Sequence, residues 1–383
     1  MANQPRSIIN DIAELIEIPS ISSVSPEWDM PNQPVIDWLA ERLEAGGWRV
    51  ELIDVPDKPG KTNLLATLGR GDGGLVLAGH TDTVPCDPER WNSDPFALAE
   101  RDNRLYGLGT ADMKSFLALA MAACAELDPA ALKTPLMLLA TADEESTMAG
   151  ARALVAAGRP KARFAVIGEP TGLKPVRMHK GILMEAIRVE GRSGHSSDPS
   201  LGANALEGMH EIIAALLRWR DNLQAQSSDA AFAVPVSTMN LGHIRGGDNP
   251  NRICGSCELH IDVRMLPGMD RQALRQELRM ESTEAVTNDQ LVVDFESLFE
   301  GVDPMCTAPE SELVRAAELL TGSPAAAVAF ATEAPFLADL GMEVVVLGPG
   351  HIDQAHQPDE YLELEQIPRS IEILQALIRR FCL

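Results

Sequence analysis

The sequence predicts an α/β protein: a mainly parallel sheet with helices on both faces, carrying an inserted ferredoxin-like βαββαβ unit. Three observations lead there. Short continuous apolar runs at residues 75–78, 136–140, 164–167 and 344–347 are bounded by Gly, Pro or charged residues, as strands buried on both faces are. Helical patterns at 113–127 and 146–157 lie between or after these runs, and strands alternating with helices build parallel sheets. The middle of the chain has another rhythm. Residues 182–190 alternate like a half-buried strand, 204–223 form a long amphipathic helix, and 237–244 and 257–265 alternate again. Residues 270–280 are then helical and 291–295 supply a further strand, completing the ferredoxin-like order. The α/β pattern resumes from about Ser297. The expected division is one domain made of residues 1–181 and 297–383, with residues 182–296 inserted into it.

Length and composition agree. At roughly 150 residues per domain, a chain of 383 residues suits two domains. Hydrophobic residues at 45% and charged residues at 23% exclude disorder as the main state. A formal net charge of −24 repels phosphate backbones and anionic bilayers, so neither nucleic acid nor a membrane is an expected partner. No run approaches the ~18 apolar residues of a membrane span, and the longest, 116–127, carries Glu126. The first twenty residues read as a short amphipathic helix, not as a secretory signal. The six scattered cysteines suit reduced thiols in a cytoplasm.

Ligands of open α/β sheets gather beyond the carboxyl ends of the strands, so the residues after each apolar run are the candidates. His80-Thr81-Asp82 follows the first run, Asp143-Glu144-Glu145 the second and Glu169 the third. A Gly-Pro-Gly loop leading to His351 and His356 follows the fourth, and Asp112 stands immediately before a helix. Imidazole and carboxylate together suit divalent metals such as zinc. Two histidines and three carboxylates around two Zn2+, with a bridging hydroxide, make an uncharged whole. In His80-x-Asp82 both side chains project to one side of an extended segment, so Asp82 is placed to accept the second ring N–H of His80. Glu144 and Glu145 are neighbours pointing apart, so one can bind metal while the other stays free to carry a proton. Each residue also has a plainer reading. His80 suits a buried structural histidine, Asp112 a helix cap, Asp143 to Glu145 a solvated turn, Glu169 a loop acid and His356 an exposed loop residue.

Six stretches carry a resemblance to a known family: LAGHTDTVP (77–85), LYGLGTADMK (105–114), ATADEESTMAG (140–150), VIGEPT (166–171), SGHSSDP (193–199) and AHQPDEYL (355–362). Over nearly its whole length the chain resembles the dinuclear zinc amidohydrolases, a family that holds acetylornithine deacetylase, aminoacylase, carboxypeptidase G and succinyl-diaminopimelate desuccinylase. The resemblance implies that His80 and Glu169 hold one metal, that Glu145 and His356 (rather than His351) hold the other, and that Asp112 bridges the pair. It implies Glu144 as general base and Asp82 as support for His80. Two Zn2+ are expected, with Co2+ able to substitute. A homodimer through the inserted domain is expected too, with His195 reaching the partner's active site to stabilise the oxyanion. The implied activity is hydrolysis of an N-acyl amino acid. The expected substrate is N2-acetyl-L-ornithine, split to L-ornithine and acetate in arginine biosynthesis by a metal-bridging hydroxide. Asn251, Arg252 and Arg264 are candidates for substrate contact and equally for ordinary surface or strand pairing, and Thr332 and Glu333 are candidates to line the site. The chain reads Asn251-Arg252-Ile253-Cys254 where many relatives have Asn-Val-Ile-Pro.

Two rivals remain. The same scaffold serves desuccinylases, dipeptidases and aminoacylases. A non-catalytic metal-binding assembly module is the rival of another class, against which Glu144 beside a full ligand set argues. Cys254 and Cys257 have the spacing of a redox or zinc pair, yet no second pair or neighbouring His supports it, and an offset of three in a strand sends side chains to opposite faces. Gly107-Leu-Gly begins like a dinucleotide loop but runs on to Asp112, and no Walker A loop or nucleophile elbow is present.

Overall fold

A computed structural model describes residues 8–383. The chain divides into two compact units. One runs to Arg177 and resumes over Thr307–Ala326 and Thr332–Leu383; the other takes Met178–Cys306 and Ala327–Ala331. These breaks fall within a few residues of 182 and somewhat beyond 296.

The first unit is built on a sheet in the order Arg49–Asp54, Thr62–Leu68, Leu136–Thr141, Leu75–His80, Phe164–Pro170, Glu343–Gly348, with Val176 bridged beyond. The four strands from Leu136–Thr141 to Glu343–Gly348 are mutually parallel. All six residues of Leu75–His80 and all six of Leu136–Thr141 are buried, which is why each reads as a continuous apolar run. The flanking pairings are antiparallel, so a parallel core is edged by strands the apolar runs did not announce. Thr62–Leu68 escapes notice because it opens on two polar residues. Burial of Asn63 is compensated by bonds: its Oδ1 accepts from Ala142 N and its Nδ2 donates to Gly150 O.

One face of the sheet, through Leu75, Leu77, Leu136, Leu138, Phe164 and Val166, joins the main apolar core. Helices Ile8–Ile16, Gln33–Ala45, Lys114–Cys124, Glu312–Thr321 and Gln366–Phe381 complete it. The residues of the other parity, such as Val76, Ala78 and Leu139, are equally buried. Helices Ala149–Ala157 and Ala334–Asp339 lie outside that cluster and pack on each other. A small antiparallel sheet of Ala99–Arg101, Arg104–Tyr106 and Tyr361–Glu363 ties the chain's end to the turn before Asp112.

The second unit is a four-stranded antiparallel sheet in the order Thr238–Gly246, Ser256–Met265, Gly181–Glu190, Val292–Val302. Helices Ala205–Gln226 and Arg271–Ala285 pack against it, giving the ferredoxin-like βαββαβ order. In Ser256–Met265 every second residue is buried, the period-two signature of a sheet with one covered face. The helix-side face carries one acid among apolar residues. Glu185 is fully buried, with Arg275 Nε at 2.7 Å, Arg279 Nη2 at 2.6 Å and Ser297 Oγ at 2.6 Å. Cys254 precedes its strand rather than lying in it. It turns inward beside Cys257, both join the core of this unit, and all six cysteines are free thiols. No described helix is long and apolar enough to cross a membrane.

Candidate metal centre

His80, Glu144, Glu145 and Glu169 sit at or just past the carboxyl ends of three neighbouring parallel strands, and His356 lies in the loop after the fourth. Asp112 precedes helix Lys114–Cys124. The topology alone therefore gathers residues nearly three hundred positions apart. Asp143 (φ +63°) and His356 (φ +61°) adopt left-handed backbone conformations, sparsely used by residues other than glycine. Surrounding bonds hold Asp143 there: its carboxylate accepts from Ser22 Oγ at 2.9 Å and from the Thr147 hydroxyl, and Lys58 Nζ lies 3.4 Å away.

His80 Nδ1 lies 2.9 Å from the main-chain oxygen of Asp82. A carbonyl can only accept, so Nδ1 carries a proton, and Nε2 is the nitrogen turned to the cluster, free to offer its lone pair when the ring is neutral. This corrects a detail of the sequence reading. The Asp82 main chain, not its carboxylate, fixes the tautomer, and Asp82 Oδ1 stands 3.9 Å from the ring. The Asp82 carboxylate instead accepts the main-chain N–H of Glu145 at 3.0 Å through Oδ2.

His80 Nε2 is 3.1 Å from Asp112 Oδ1 and 3.8 Å from Glu169 Oε1. His356 Nε2 is 3.0 Å from Glu145 Oε2 and 3.5 Å from the other Asp112 oxygen, Oδ2. Asp112 thus stands between the two imidazoles, one oxygen toward each. Potential ligand atoms of His80, Glu144 and Glu169 lie within 4.8 Å of one another, and so do those of His80, Asp112 and Glu145. His351 is elsewhere, with Gln366 Nε2 at 3.2 Å from its Nε2.

The charge balance tests whether metal fits. Burial, and then the neighbouring charge of Glu169, push the Glu144 carboxyl well above the usual range. Burial and the Asp112 charge do the same to Glu169 and raise Glu145. Burial alone would depress the His80 imidazole, yet the Asp112 hydrogen bond and the charges of Glu169, Glu144 and Asp82 outweigh it and hold His80 well above its ordinary value. The Glu145 hydrogen bond raises His356 to about 9. Burial would raise Asp112 too, but its bond to His80 wins and lowers it. This is a nest of buried acids and imidazoles that calls for positive charge, and two divalent cations supply it. The donor set is oxygen and nitrogen without sulfur, as zinc-type hydrolytic sites use. The residues fit the metals.

A profile of peptidase family M20/M25/M40 matches residues 76–380. The chain belongs to this family. Among relatives named acetylornithine deacetylase, one from Vibrio vulnificus (strain CMCP6) is 48% identical over 368 residues, covering 96% of this chain and 97% of the relative. One from Edwardsiella ictaluri (strain 93-146) is 48% identical over the full length of both chains. The fold is that of an M20 metallo-carboxypeptidase from Sulfolobus solfataricus, with a TM-score of 0.77 at 18% identity over 98% of this chain and 99% of that one. A dinuclear metal-binding M20 peptidase from Bacillus subtilis superposes with a TM-score of 0.67 at 17% identity, covering 98% and 97% of the two chains.

The remaining sequence candidates divide between the units. Thr332 and Glu333 belong to the first, and both are buried. Glu333 Oε2 accepts from Thr141 Oγ1 at 2.8 Å, at the end of the strand leading to Glu144, while its Oε1 has no partner. Burial raises the Glu333 carboxyl to about 7. His195, Asn251, Arg252 and Arg264 belong to the second unit. His195 and Arg252 form an antiparallel bridge, and the His195 ring accepts the Ser197 N–H at 3.2 Å. Arg252 pairs with Asp248 and Arg264 with Asp262, so both guanidinium groups are already partnered. One buried acid that the sequence reading passed over is Glu360. It lies within a quoted motif, and its carboxylate accepts from the turn that carries Asp112.

Proposed function

We propose that this chain is a metal-dependent amidohydrolase that converts N2-acetyl-L-ornithine and water to L-ornithine and acetate, serving arginine biosynthesis in the cytoplasm. The observation that carries the reaction class is the buried Glu144 carboxyl, set among the acids and imidazoles of the metal cluster without a hydrogen bond to a described side chain. The substrate rests on nearly full-length relatives at 46–48% identity that bear the acetylornithine deacetylase name.

His80 and Glu169 would hold one Zn2+ or Co2+, Glu145 and His356 the other, and Asp112 both. When bound, such ions supply Lewis acidity, lowering the pKa of water and drawing charge from the amide oxygen. Glu144 accepts the proton of the water that attacks the acetyl carbonyl. It then returns that proton to the departing α-nitrogen as the C–N bond breaks, so a single carboxyl acts as base and then as acid. The main chain of Asp82 keeps His80 in the tautomer that presents Nε2. His195 is the candidate donor to the oxyanion, acting across a homodimer formed by the inserted unit. Arg252 and Arg264, with Asn251 beside them, are candidates for the substrate carboxylate. Thr332 and Glu333 are candidates to line the site, the half-bonded Glu333 acid being suited to the distal ammonium.

The test is purified protein, stripped by chelation and reloaded with zinc or cobalt, assayed on N-acetylornithine, N-succinyl-diaminopimelate and dipeptides. Metal-dependent release of acetate, with N-acetylornithine preferred, is expected. Preference for a succinylated or dipeptide substrate would overturn the substrate, and no amide hydrolysis with two metals bound would overturn the reaction.

A further inference from the structure

Glu360 takes no part in the chemistry above. Its residue is only 1% exposed, and it stands four positions beyond His356. Among the described residues, no cationic side chain makes an ion pair with it. Its carboxyl oxygens are met instead by main chain. Glu360 Oε1 accepts from Ala111 N at 2.7 Å, from Asp112 N at 3.0 Å and from Gly109 N at 3.1 Å, and Oε2 lies 3.2 Å from Gly109 N. Three amides pointing at one oxygen require a tightly folded turn. Gly109 permits it with φ of +89°, where a Cβ would lie 3.1 Å from Thr83 Cγ2 and 3.2 Å from Lys114 Cε. The backbone of Glu360 ties the same turn from the other side: Gly107 N donates to Glu360 O at 3.1 Å, and Tyr361 pairs with Tyr106. The preceding Asp359 accepts from Asn92 N at 2.9 Å, which fixes the entry to this segment.

One residue therefore joins the segment that carries His356 to the turn that presents Asp112. A buried carboxyl needs partners for its oxygens, and the three aligned N–H groups supply them. The group whose place this sets is the next along the chain. The Asp112 amide is held by Glu360, while the Asp112 carboxylate stands 3.1 Å from His80 and 3.5 Å from His356. We propose that Glu360 is a positioning residue for the metal pair. It does not touch the metals; it sets the position and orientation of Asp112 between the two imidazoles. The proposal rests on the reading that Asp112 binds metal, and not on which amide is cleaved.

The bonding pattern makes a particular order of variants. Oε1 alone takes part in three of the four contacts, so Glu360→Gln, with its amide oxygen there, keeps most of the turn. Glu360→Asp keeps the carboxyl but is a methylene too short to reach all three N–H groups. Metal affinity is measured by calorimetric titration of chelated protein, together with the visible spectrum of the cobalt form and the melting temperature of the apo form. Glu360→Asp is expected to bind metal about 10- to 100-fold more weakly, the scale for losing a group that orients a ligand, with a changed cobalt spectrum. Glu360→Gln is expected within a few-fold of the unaltered protein. In both, KM for the substrate stays put while kcat follows metal occupancy. A Glu360→Asp protein that binds metal as tightly as the unaltered chain, with the same cobalt spectrum, overturns the proposal. So does one whose only change is a lower apo melting temperature. A chain that binds two metals but ignores N-acetylornithine would sink the substrate reading and leave this inference standing.

Discussion

Replacement of Glu144 by Gln separates the general base from the metal ligands. The amide has the shape of the carboxyl and makes the same packing contacts, and no hydrogen bond to a described side chain is lost. What disappears is the ability to take a proton from water. Loss of a positioned base costs at least about a hundredfold in turnover, or about 2.7 kcal/mol at about 1.36 kcal/mol per tenfold. Metal content should stay at two ions per chain. The structure adds a second, less obvious expectation. Glu144 is held protonated-prone by burial and by the charge of Glu169, so at neutral pH the apo protein carries the cost of keeping acids together. Glutamine removes one of them, so the chelated variant should melt no lower than the unaltered chelated protein, in the sense usual for active-site residues whose presence costs stability. The assays are acetate release under saturating substrate, metal analysis, and melting of the chelated forms. Full turnover in Glu144→Gln removes this residue from the mechanism. Loss of one metal together with activity makes it a ligand instead of a base.

Other perturbations probe the surroundings. Asp82→Asn leaves the main-chain bond that fixes His80 but weakens the acceptor for Glu145 N, so metal affinity should drop about 10- to 100-fold with His80 still able to bind; an unchanged titration refutes a role for that carboxylate. In the second unit, Glu185→Ala strands Arg275 and Arg279 without their shared acid. Breaking a buried ion pair costs about 3–5 kcal/mol, and the lower end is expected because Arg279 is 37% exposed and partly screened; denaturant unfolding reads it, and a loss below 1 kcal/mol contradicts the assignment. If His195 acts across a dimer, mixing His195→Ala with Glu144→Gln chains should restore activity in heterodimers that neither parent shows, and heterodimers without rescue would place its action elsewhere. The chelated protein has a defined pH response. The folded-state carboxyls of Glu144, Glu145 and Glu169 are raised, and so is the His80 imidazole. Between about 4.5 and those raised values the folded chain binds more protons than the unfolded one, so apo stability is highest at the acid side of that window and falls as pH rises. Melting of the chelated form at pH 6 and pH 8 checks the sign, and a higher melting temperature at pH 8 would reverse the argument.

The parallel core and four residues of the candidate metal cluster were legible in the sequence for one reason. A strand buried on both faces is written as an unbroken apolar run, and its end is marked by the first polar residue. His80, Glu144, Glu145 and Glu169 are such residues or their neighbours. What the sequence hid is what depends on long-range hydrogen bonding. Asn63 looks like a loop residue until Ala142 and Gly150 satisfy it. Asp82 looks like the carboxylate partner of His80, and only the folded chain shows its oxygen turned to Glu145. Arg252 and Arg264 read equally as substrate contacts and as ordinary pairing, and only the folded chain shows that each has a local acid two to four positions away. Glu360 reads as one acid among the chain's 56 acidic residues. The available signal was its place four residues after a candidate ligand, opposite a glycine-rich turn that needs an acceptor.

The tautomer of His80 links the fold to the reaction. Its Nδ1 must donate to the Asp82 carbonyl, so in the neutral ring Nε2 meets Asp112 with a lone pair facing a carboxylate oxygen 3.1 Å away. Two acceptors at that distance repel unless a positive charge lies between them. A proton on His80 relieves that one contact. It leaves Glu144, Glu145 and Glu169 still crowded, and they take up protons of their own as burial dictates. Divalent cations held by these residues would relieve the whole cluster at once and would leave Glu144 in the charged state that its proposed role as base requires. Metal binding and activation of the proposed base would in this sense be one electrostatic event. Competition between protons and metal for the same lone pairs should therefore make metal affinity fall as pH is lowered. The same residues that destabilise the empty cluster at neutral pH are those that draw the ions in.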